Sequence, residues 1–141
     1  MTAADGVLVG GEHFTHDGVA VALTVARCTQ CGATVFPVQP SCPRCSADDM
    51  VSESLGHRGT LWSYTIQRFQ PKAPYDGATD AQFIPFGVGY VDFGGVIVEG
   101  RLTDNDPASL RIGQTMTAVL QSYAVDDVGK PLFTFAFHPV D

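Results

Sequence analysis

Apolar and polar residues alternate with a period of two along most of this chain, and glycine, proline and aspartate interrupt the alternating runs. This pattern is typical of β-strands that bury one face, whereas an amphipathic helix repeats its apolar residues every three to four positions. No long segment combines the helical repeat with a matching cap. The pattern therefore predicts a mostly β protein.

The alternating runs predict two groups of strands. In the first group, one strand leads into Cys28, and ATVFPVQP, residues 33–40, supplies the next. The second group comprises five strands that follow Asp49. The apolar residues predicted to line the first strand are Val19, Val21, Leu23 and Val25. The sets predicted to share one face in the five later strands are Trp62, Tyr64 and Ile66; Phe86, Val88 and Tyr90; Val96, Val98 and Leu102; Met116, Ala118 and Leu120; and Phe133, Phe135 and Phe137.

Five strands of this length, with glycines inside them, suit a small closed barrel. Glycines such as Gly87, Gly89 and Gly100 are what strongly bent strands require. The OB-fold is the natural five-stranded candidate. One connection, from Gln70 to Ile84, is long for a link between two strands, and loops of that length are often functional.

All four cysteines lie in RCTQCGATVFPVQPSCPRC, as two CxxC pairs separated by ten residues. Each CxxC turn can supply two thiolates, and two facing turns complete the tetrahedral shell that structural zinc requires. Gly32 can adopt the positive φ that ends the first turn, and Pro43 stiffens the second. The spacing predicts one metal site formed by Cys28, Cys31, Cys42 and Cys45, with zinc favoured over iron.

Three other uses of the cysteines are weaker interpretations. A thioredoxin-like redox pair should begin a helix in a βαβ setting, and neither pair does. A catalytic cysteine needs a free thiol, but the metal engages all four. An iron-containing electron carrier uses similar turns and would be coloured, whereas the zinc protein is colourless. We therefore expect a N-terminal extension and strand over 1–26, a rubredoxin-like zinc ribbon over 27–50 and an OB-fold barrel over 55–141.

The net charge of the chain argues against one class of function, the binding of nucleic acids. The 141 residues carry 15 acidic and 8 basic side chains, a net charge of −7, and four zinc-bound thiolates make the balance more negative. Nucleic-acid binding draws most of its affinity from basic residues, so the charge argues against it. The aromatic residues of the strands are accordingly predicted to be core instead of a base-stacking platform. No signal peptide or membrane span is evident, and we expect a cytoplasmic protein.

The sequence lacks a convincing catalytic apparatus. No GxSxG, P-loop or GxGxxG motif is present. The four histidines carry no recognisable ligand spacing and are predicted to be exposed or locally hydrogen-bonded; they are His13, His16, His57 and His138.

The order of parts resembles the acyl-CoA-associated zinc-ribbon/OB-fold family, long classed as a domain of unknown function. The resemblance rests on RCTQCGATVFPVQPSCPRC followed by GTLWSYTI, PFGVGYVDFGGVIVEGRL, LRIGQTMTAVL and finally FAFHPV, and it covers residues 25–139. The ribbon motif alone is shared by many proteins, and its combination with the barrel segments is the more specific signal.

This resemblance implies an accessory protein in a hetero-oligomer. Family members accompany thiolase-like enzymes or lipid-transfer-protein-like aldolases that act on acyl-CoA thioesters, some of them in the degradation of steroid side chains or aromatic compounds. The small subunit is required for the larger one's folding or activity, has no activity of its own, and leaves catalysis and most of the acyl-CoA contact to the partner.

By position, the resemblance makes the four cysteines the zinc ligands and turns the long loop toward the partner's active-site entrance. The partner- or substrate-facing residues expected there are Phe69, Pro71, Lys72, Pro74, Tyr75 and Phe83. The family usually begins with an amphipathic helix, whereas residues 1–26 are a glycine-rich chain and strand. Two alternatives remain open: a stand-alone module that binds acyl-CoA, and a nucleic-acid-binding ribbon/OB protein.

Overall fold

The computed structural model describes residues 6–68 and 85–140. These residues form ten strands and two short 3-10 turns. The strands are β1 (Val7–Leu8), β2 (Phe14–His16), β3 (Val21–Cys28), β4 (Thr34–Val35), β5 (Met50–Ser54), β6 (Arg58–Gln67), β7 (Phe86–Asp92), β8 (Ile97–Leu102), β9 (Thr115–Val125) and β10 (Pro131–Pro139). In this part of the chain, no helix has the length and apolar character needed to cross a membrane.

Strands β6 to β10 close into a five-stranded barrel. Around the barrel the order is β6, β7, β8, β10, β9 and back to β6. All of these pairs are antiparallel except β8 with β10, whose register joins Arg101 to Ala136 and Leu102 to Phe137. A closed barrel leaves none of its five strands as a free edge. The predicted mostly β architecture, a zinc ribbon followed by an OB-fold barrel, is confirmed.

The barrel interior is filled by side chains from all five strands. The largest fully buried ones are Phe137, Leu61, Met116, Val91 and Val98. Close approach at the bent strands is possible because β7 and β8 present glycine there. A Cβ on Gly89 would lie 2.5 Å from Leu102 Cδ2, and one on Gly100 would lie 2.7 Å from Phe135 Cε2. Glycine is therefore needed at these two positions for space, whereas its predicted role in bending the strands stays a prediction.

One predicted face is wrong at Trp62. The sequence pattern groups it with Tyr64 and Ile66, yet 58% of Trp62 is exposed, and Leu61 is the buried residue. The pairing of β6 with β7 shifts register between Leu61 and Ser63, as at a β-bulge. A bulge inserts one extra residue and restarts the alternation, so Trp62 points outward while Leu61 and Tyr64 both reach the core.

A second correction concerns β7. Its buried residues are Gly87, Gly89 and Val91, whereas Phe86, Val88 and Tyr90, predicted as the apolar set, are only half-buried. Glycine faces the barrel interior at positions 87 and 89 because the Leu102 side chain occupies the space beside them. The larger side chains of β7 therefore face outward.

The remaining predicted sets behave as expected, with one exception. Val98, Leu102, Met116, Ala118, Phe133 and Phe137 are buried, and Val96, Leu120 and Phe135 pack partly buried against the core. Val21, Leu23 and Val25 are buried in β3, but Val19 precedes the strand and is 71% exposed.

Strand β3 is the axis of the smaller sheet. It pairs antiparallel with β2 near its start and with β4 and β5 near its end, where it delivers Cys28. The sheet shares one apolar cluster with the barrel, since Phe14, Val21 and Leu23 belong to the same core as Leu61 and Phe137. Strands β2 and β3, the second of which leads into the ribbon, are therefore packed directly against the barrel.

Backbone contacts and aromatic rings join the two parts. The N–H of Leu120 donates to the carbonyl of Val19 at 2.9 Å. Phe14 and Phe36 each meet Phe135 edge-on, with ring centroids 6.0 Å apart in both pairs. Further upstream, β1 pairs parallel with β10. The N-terminal strand thus extends the barrel sheet.

Candidate metal centre

The first cysteine pair sits in a tight turn at the end of β3, residues 28–33, which we call the first knuckle. The N–H of Cys28 donates to the carbonyl of Ala33, and the N–H of Gly32 donates to the carbonyl of Cys28, at 2.8 and 2.9 Å. Gly32 has φ of 79°, a conformation that glycine adopts without a steric cost. The sequence Cys-x-x-Cys-Gly-Ala folds in this way because glycine closes the turn.

Residues 42–47 repeat this arrangement and form the second knuckle. The N–H of Cys42 donates to the carbonyl of Ala47, and the N–H of Ser46 donates to the carbonyl of Cys42, both at 2.8 Å. Ser46 occupies the position of Gly32 and has φ of 65°. It is the one non-glycine residue with positive φ in the described part of the chain.

The two knuckles bring the four predicted sulfur atoms together. All four Sγ atoms lie within 4.8 Å of one another. Across the knuckles, the Sγ atoms of Cys28 and Cys45 are 3.6 Å apart, as are those of Cys31 and Cys42. Four sulfurs placed tetrahedrally about 2.3 Å from zinc would be about 3.8 Å apart. The spacing and the all-thiolate donor set fit a structural zinc ion.

Backbone N–H groups prepare two of the sulfurs as thiolates. The N–H of Cys31, and after it that of Gln30, lowers the pKa of the Cys28 thiol despite its burial. For Cys42 the N–H of Cys45 is the main cause, supported by Arg44, whose N–H donates to Cys42 Sγ at 3.4 Å; the pKa falls to about 7. These contacts also orient the ligands, as outer contacts of zinc sites do.

The fourth sulfur differs from these two, because its neighbours favour the protonated thiol. The N–H of Ala47 lowers the pKa of Cys45, but hydrogen bonds with the neighbouring thiols, Cys28 first, raise it to about 12. A thiol that donates hydrogen bonds to neighbouring sulfurs is stabilised in its protonated form, which raises its pKa. A divalent cation at the centre would compensate the charge of the thiolates and hold all four ligands ionised. With four thiolates the coordination shell is closed, which is typical of a structural site and leaves no position for a substrate.

Polar contacts tie the first knuckle to the start of β5. Thr29 donates to the carbonyl of Asp49 through its N–H at 2.9 Å and its hydroxyl at 3.1 Å. Gln30 Nε2 donates to Asp49 Oδ2 at 2.9 Å. On the same sheet Arg27 Nε pairs with Glu53 Oε1 at 2.6 Å. The ribbon strands are therefore joined beside the metal ligands.

The sequence pattern missed Ser46, Asp49 and Gln30. A readable signal existed for the first of these: Cys-x-x-Cys-Gly-Ala at 28–33 and Cys-x-x-Cys-Ser-Ala at 42–47 align residue by residue. The alignment would have placed Ser46 at the positive-φ position. The contacts of Gln30 with Asp49 have no such signal because they depend on the packing of β5 against β3.

The partner-facing loop residues predicted from the sequence lie outside the described residues; they are Phe69, Pro71, Lys72, Pro74, Tyr75 and Phe83. The structure does describe the loop's anchors, since β6 ends at Gln67 and β7 begins at Phe86, and these two residues are paired.

The four histidines are exposed or locally hydrogen-bonded, as predicted. His138 Nδ1 lies 2.7 Å from Thr103 Oγ1, beside an open cleft of about 460 Å³. His16 Nδ1 accepts a hydrogen bond from the N–H of Gly18, and His13 Nε2 lies 3.2 Å from the carboxylate of Glu12. His57 is exposed. Among the described residues, the histidines do not gather into a metal site. The cysteine cluster is the one group there that could hold a metal ion.

Both the zinc ribbon and the barrel match models of one protein family. Residues 17–51 match the family model described as ChsH2, rubredoxin-like zinc ribbon domain, and residues 53–121 match ChsH2, C-terminal OB-fold domain. Among solved structures the chain is similar to one described as Ltp2-ChsH2(DUF35) aldolase, with 23% sequence identity and a TM-score of 0.53, over 80% of this chain and 84% of that one. At this identity the likeness shows the fold. No curated protein matches.

Proposed function

Because the chain belongs to the ChsH2 zinc-ribbon and OB-fold family, we propose that it is a non-catalytic, zinc-binding accessory subunit of a thiolase-superfamily complex. The complex would be a thiolase or a retro-aldolase acting on acyl-CoA thioesters, in the degradation of steroid side chains or aromatic compounds. The observation that carries the proposal is the match of both family domains, in order, to residues 17–51 and 53–121 of this chain.

The chemistry of the metal centre supports the accessory role. All four thiols converge on one closed site, so the most nucleophilic side chains of the chain are engaged as ligands. Cleavage of a carbon–carbon or thioester bond needs a nucleophile or base directed at the substrate. We assign those groups to the partner subunit, together with most of the acyl-CoA contact.

The fold supports a role in assembly. The N-terminal part of the chain and the barrel share one apolar core. Within it, the rings of Phe14 and Phe36 contact the ring of Phe135. A small protein built this way presents a rigid surface whose parts do not reorient separately. We propose that this surface holds the partner in its active arrangement, in the cytoplasm.

The long loop between β6 and β7 is proposed to face the partner's active-site entrance. Gln67 and Phe86 pair at the end of the barrel, so the loop leaves and returns at one place. Replacing residues 70–84 by a glycine-serine linker of equal length should preserve complex formation and reduce turnover by the partner. Unchanged turnover would remove the loop from the proposal.

The main test is co-expression with thiolase-like and lipid-transfer-protein-like aldolase subunits encoded by neighbouring genes. We expect one of them to co-purify with this chain and to catalyse thiolysis or aldol cleavage of an acyl-CoA only in the complex. The isolated chain should be inactive with the same substrates. Activity in the isolated chain, or failure of every neighbouring thiolase-like protein to bind, would contradict the proposal.

Two measurements on the isolated chain separate the alternatives. A stand-alone acyl-CoA-binding module should bind an acyl-CoA by calorimetry with an affinity that the partner does not change. A nucleic-acid-binding protein should shift DNA or RNA in a gel at low salt, where electrostatic binding is strongest. The accessory-subunit proposal expects weak or no binding in the first experiment and none in the second.

A further inference from the structure

The four zinc ligands differ sharply in accessibility. Cys28 and Cys42, the first cysteine of each knuckle, are 0% and 2% exposed. Cys31 is half-buried, whereas Cys45 is exposed, as are its neighbours Arg44 and Ser46. Zinc would hold all four sulfurs as thiolates, and oxidants and alkylating agents reach them from solvent, so exposure selects the sulfur that reacts first.

A sulfur of the other knuckle lies close to Cys45. Cys28 Sγ lies 3.6 Å from Cys45 Sγ, a short movement away from the bonding distance of about 2.05 Å in a disulfide. We propose that Cys45 is an oxidative modification site and that Cys28 is its resolving thiol, so that hydroperoxides convert the metal centre into a Cys28–Cys45 disulfide. This inference does not depend on the proposed function.

The chemistry balances with a hydroperoxide as the only co-reactant. The Cys45 thiolate attacks the terminal peroxide oxygen, the O–O bond breaks, and Cys45 becomes a sulfenic acid while an alkoxide or hydroxide leaves. The Cys28 thiolate then attacks the Cys45 sulfur, the S–S bond forms, and hydroxide leaves. Two thiolates lose two electrons in total, and the peroxide is reduced by two electrons.

Loss of two ligands disables the centre. Only Cys31 and Cys42, one from each knuckle, then remain as thiolates. A structural zinc site needs four ligands. Since zinc-binding energy is folding energy at such sites, oxidation should release the ion and loosen the ribbon. The exposed second knuckle would thus make the assembly of the protein sensitive to peroxide.

The chain is well suited to a direct test by peptide mapping. Trypsin cleaves after Arg27, Arg44 and Arg58, so peptide 45–58 contains Cys45 alone, and peptide 28–44 contains the other three cysteines. With zinc-loaded protein and limiting iodoacetamide, we expect the label to appear first on peptide 45–58. Label appearing first on peptide 28–44 would overturn the proposal.

Hydrogen peroxide provides the second readout. We expect zinc release, followed with a metallochromic dye, to parallel formation of a disulfide that joins the two peptides through Cys28, as located by tandem mass spectrometry. A disulfide between Cys28 and Cys31, or between Cys42 and Cys45, would contradict the assignment.

Matched variants separate exposure from ligand loss. Cys45→His and Cys31→His each leave a Cys₃His donor set, which is an ordinary structural zinc site. We expect peroxide to release zinc about tenfold more slowly from Cys45→His than from Cys31→His, since the first has lost the exposed thiolate. Equal rates would overturn the proposal, and if either variant does not hold zinc, the mapping on the unmodified chain decides it.

Discussion

The two zinc knuckles share a backbone and differ in their surroundings. In each, the first cysteine exchanges the same two hydrogen bonds with residues four and five positions later. The first knuckle continues from β3 and is tied to Asp49, whereas the second lies in a connection with exposed residues from Pro43 to Ser46. Local hydrogen bonding therefore determines the shape of a knuckle, and the neighbouring sheet determines its exposure.

The knuckles also differ in how they accommodate positive φ. Gly32 adopts it freely, and Ser46 does so against the steric repulsion that its Cβ introduces. The strained residue belongs to the more exposed knuckle. The second knuckle therefore depends on the bound metal more than the first does, because fewer contacts with the rest of the protein hold it in place.

The largest expected effect is removal of a ligand, because the metal ion joins the two knuckles and needs all four cysteines. Cys42→Ser should abolish zinc binding and unfold the ribbon, since zinc contributes about 10–16 kcal/mol to the folding of small zinc domains. The variant should be insoluble or free of partner, with metal content measured by atomic absorption and ribbon order by trypsin cleavage at Arg44.

Ser41→Ala is the matched control for this change, because it alters an exposed neighbour and leaves the ligands intact. It should bind one zinc ion and resist trypsin like the unmodified chain. A Cys42→Ser protein that folded and supported normal complex activity would show that the metal has no structural role.

The next effect tests the first knuckle alone. Gly32→Ala places a Cβ on a residue with φ of 79°, which costs about 1–2 kcal/mol. Since folding and metal binding are coupled, we expect about tenfold weaker zinc affinity in a chelator competition. Gly56→Ala is the control, because a Cβ there meets no atom within 4 Å and its φ is not positive. Equal affinities in the two variants would show that the left-handed turn is not needed.

The reciprocal change should strengthen the second knuckle. Ser46→Gly relieves the positive-φ strain but increases the freedom of the unfolded chain, so the net gain is about 0.5–1 kcal/mol. Zinc affinity should rise about two- to fivefold in the same competition. Weaker binding by this variant would mean that the Ser46 side chain contributes something that glycine cannot replace.

The smallest effect concerns the tie between the first knuckle and β5. Gln30→Ala removes the hydrogen bond to Asp49 Oδ2, and because both side chains are exposed we expect a loss of about 0.5 kcal/mol or less. Thermal unfolding of the zinc-loaded chain, with Ser41→Ala as control, measures it. A loss as large as that of Gly32→Ala would show that this contact, and not the turn, fixes the knuckle.

The metal centre could be predicted residue by residue because its information is local. Two cysteines with two residues between them in a tight turn direct their thiolates to the same side, and two such turns leave few ways to bind one ion. The strands of the barrel were also predictable, since a half-buried strand shows its period in its own sequence. The boundaries proposed for the three segments, at residues 26, 50 and 55, stay a prediction.

The failures occur where distant residues decide the face of a strand. The bulge after Leu61 turns Trp62 outward, and the outward placement of Phe86 and Tyr90 follows from Leu102 filling the space beside Gly87 and Gly89. Neither event appears in the alternation of a single strand. A bulge is a property of a pair of strands, and the space beside a glycine belongs to its neighbours.

By itself, the sequence determined the β class, the four cysteines that form the metal centre and the order of ribbon and barrel, because hydrophobic period and cysteine spacing act within a few residues of chain. Only the tertiary structure decided which aromatic residues lie inside, how β1 joins β10, and why Cys42 is buried while Cys45 is exposed. Those outcomes depend on packing between segments far apart in sequence, which no local pattern records.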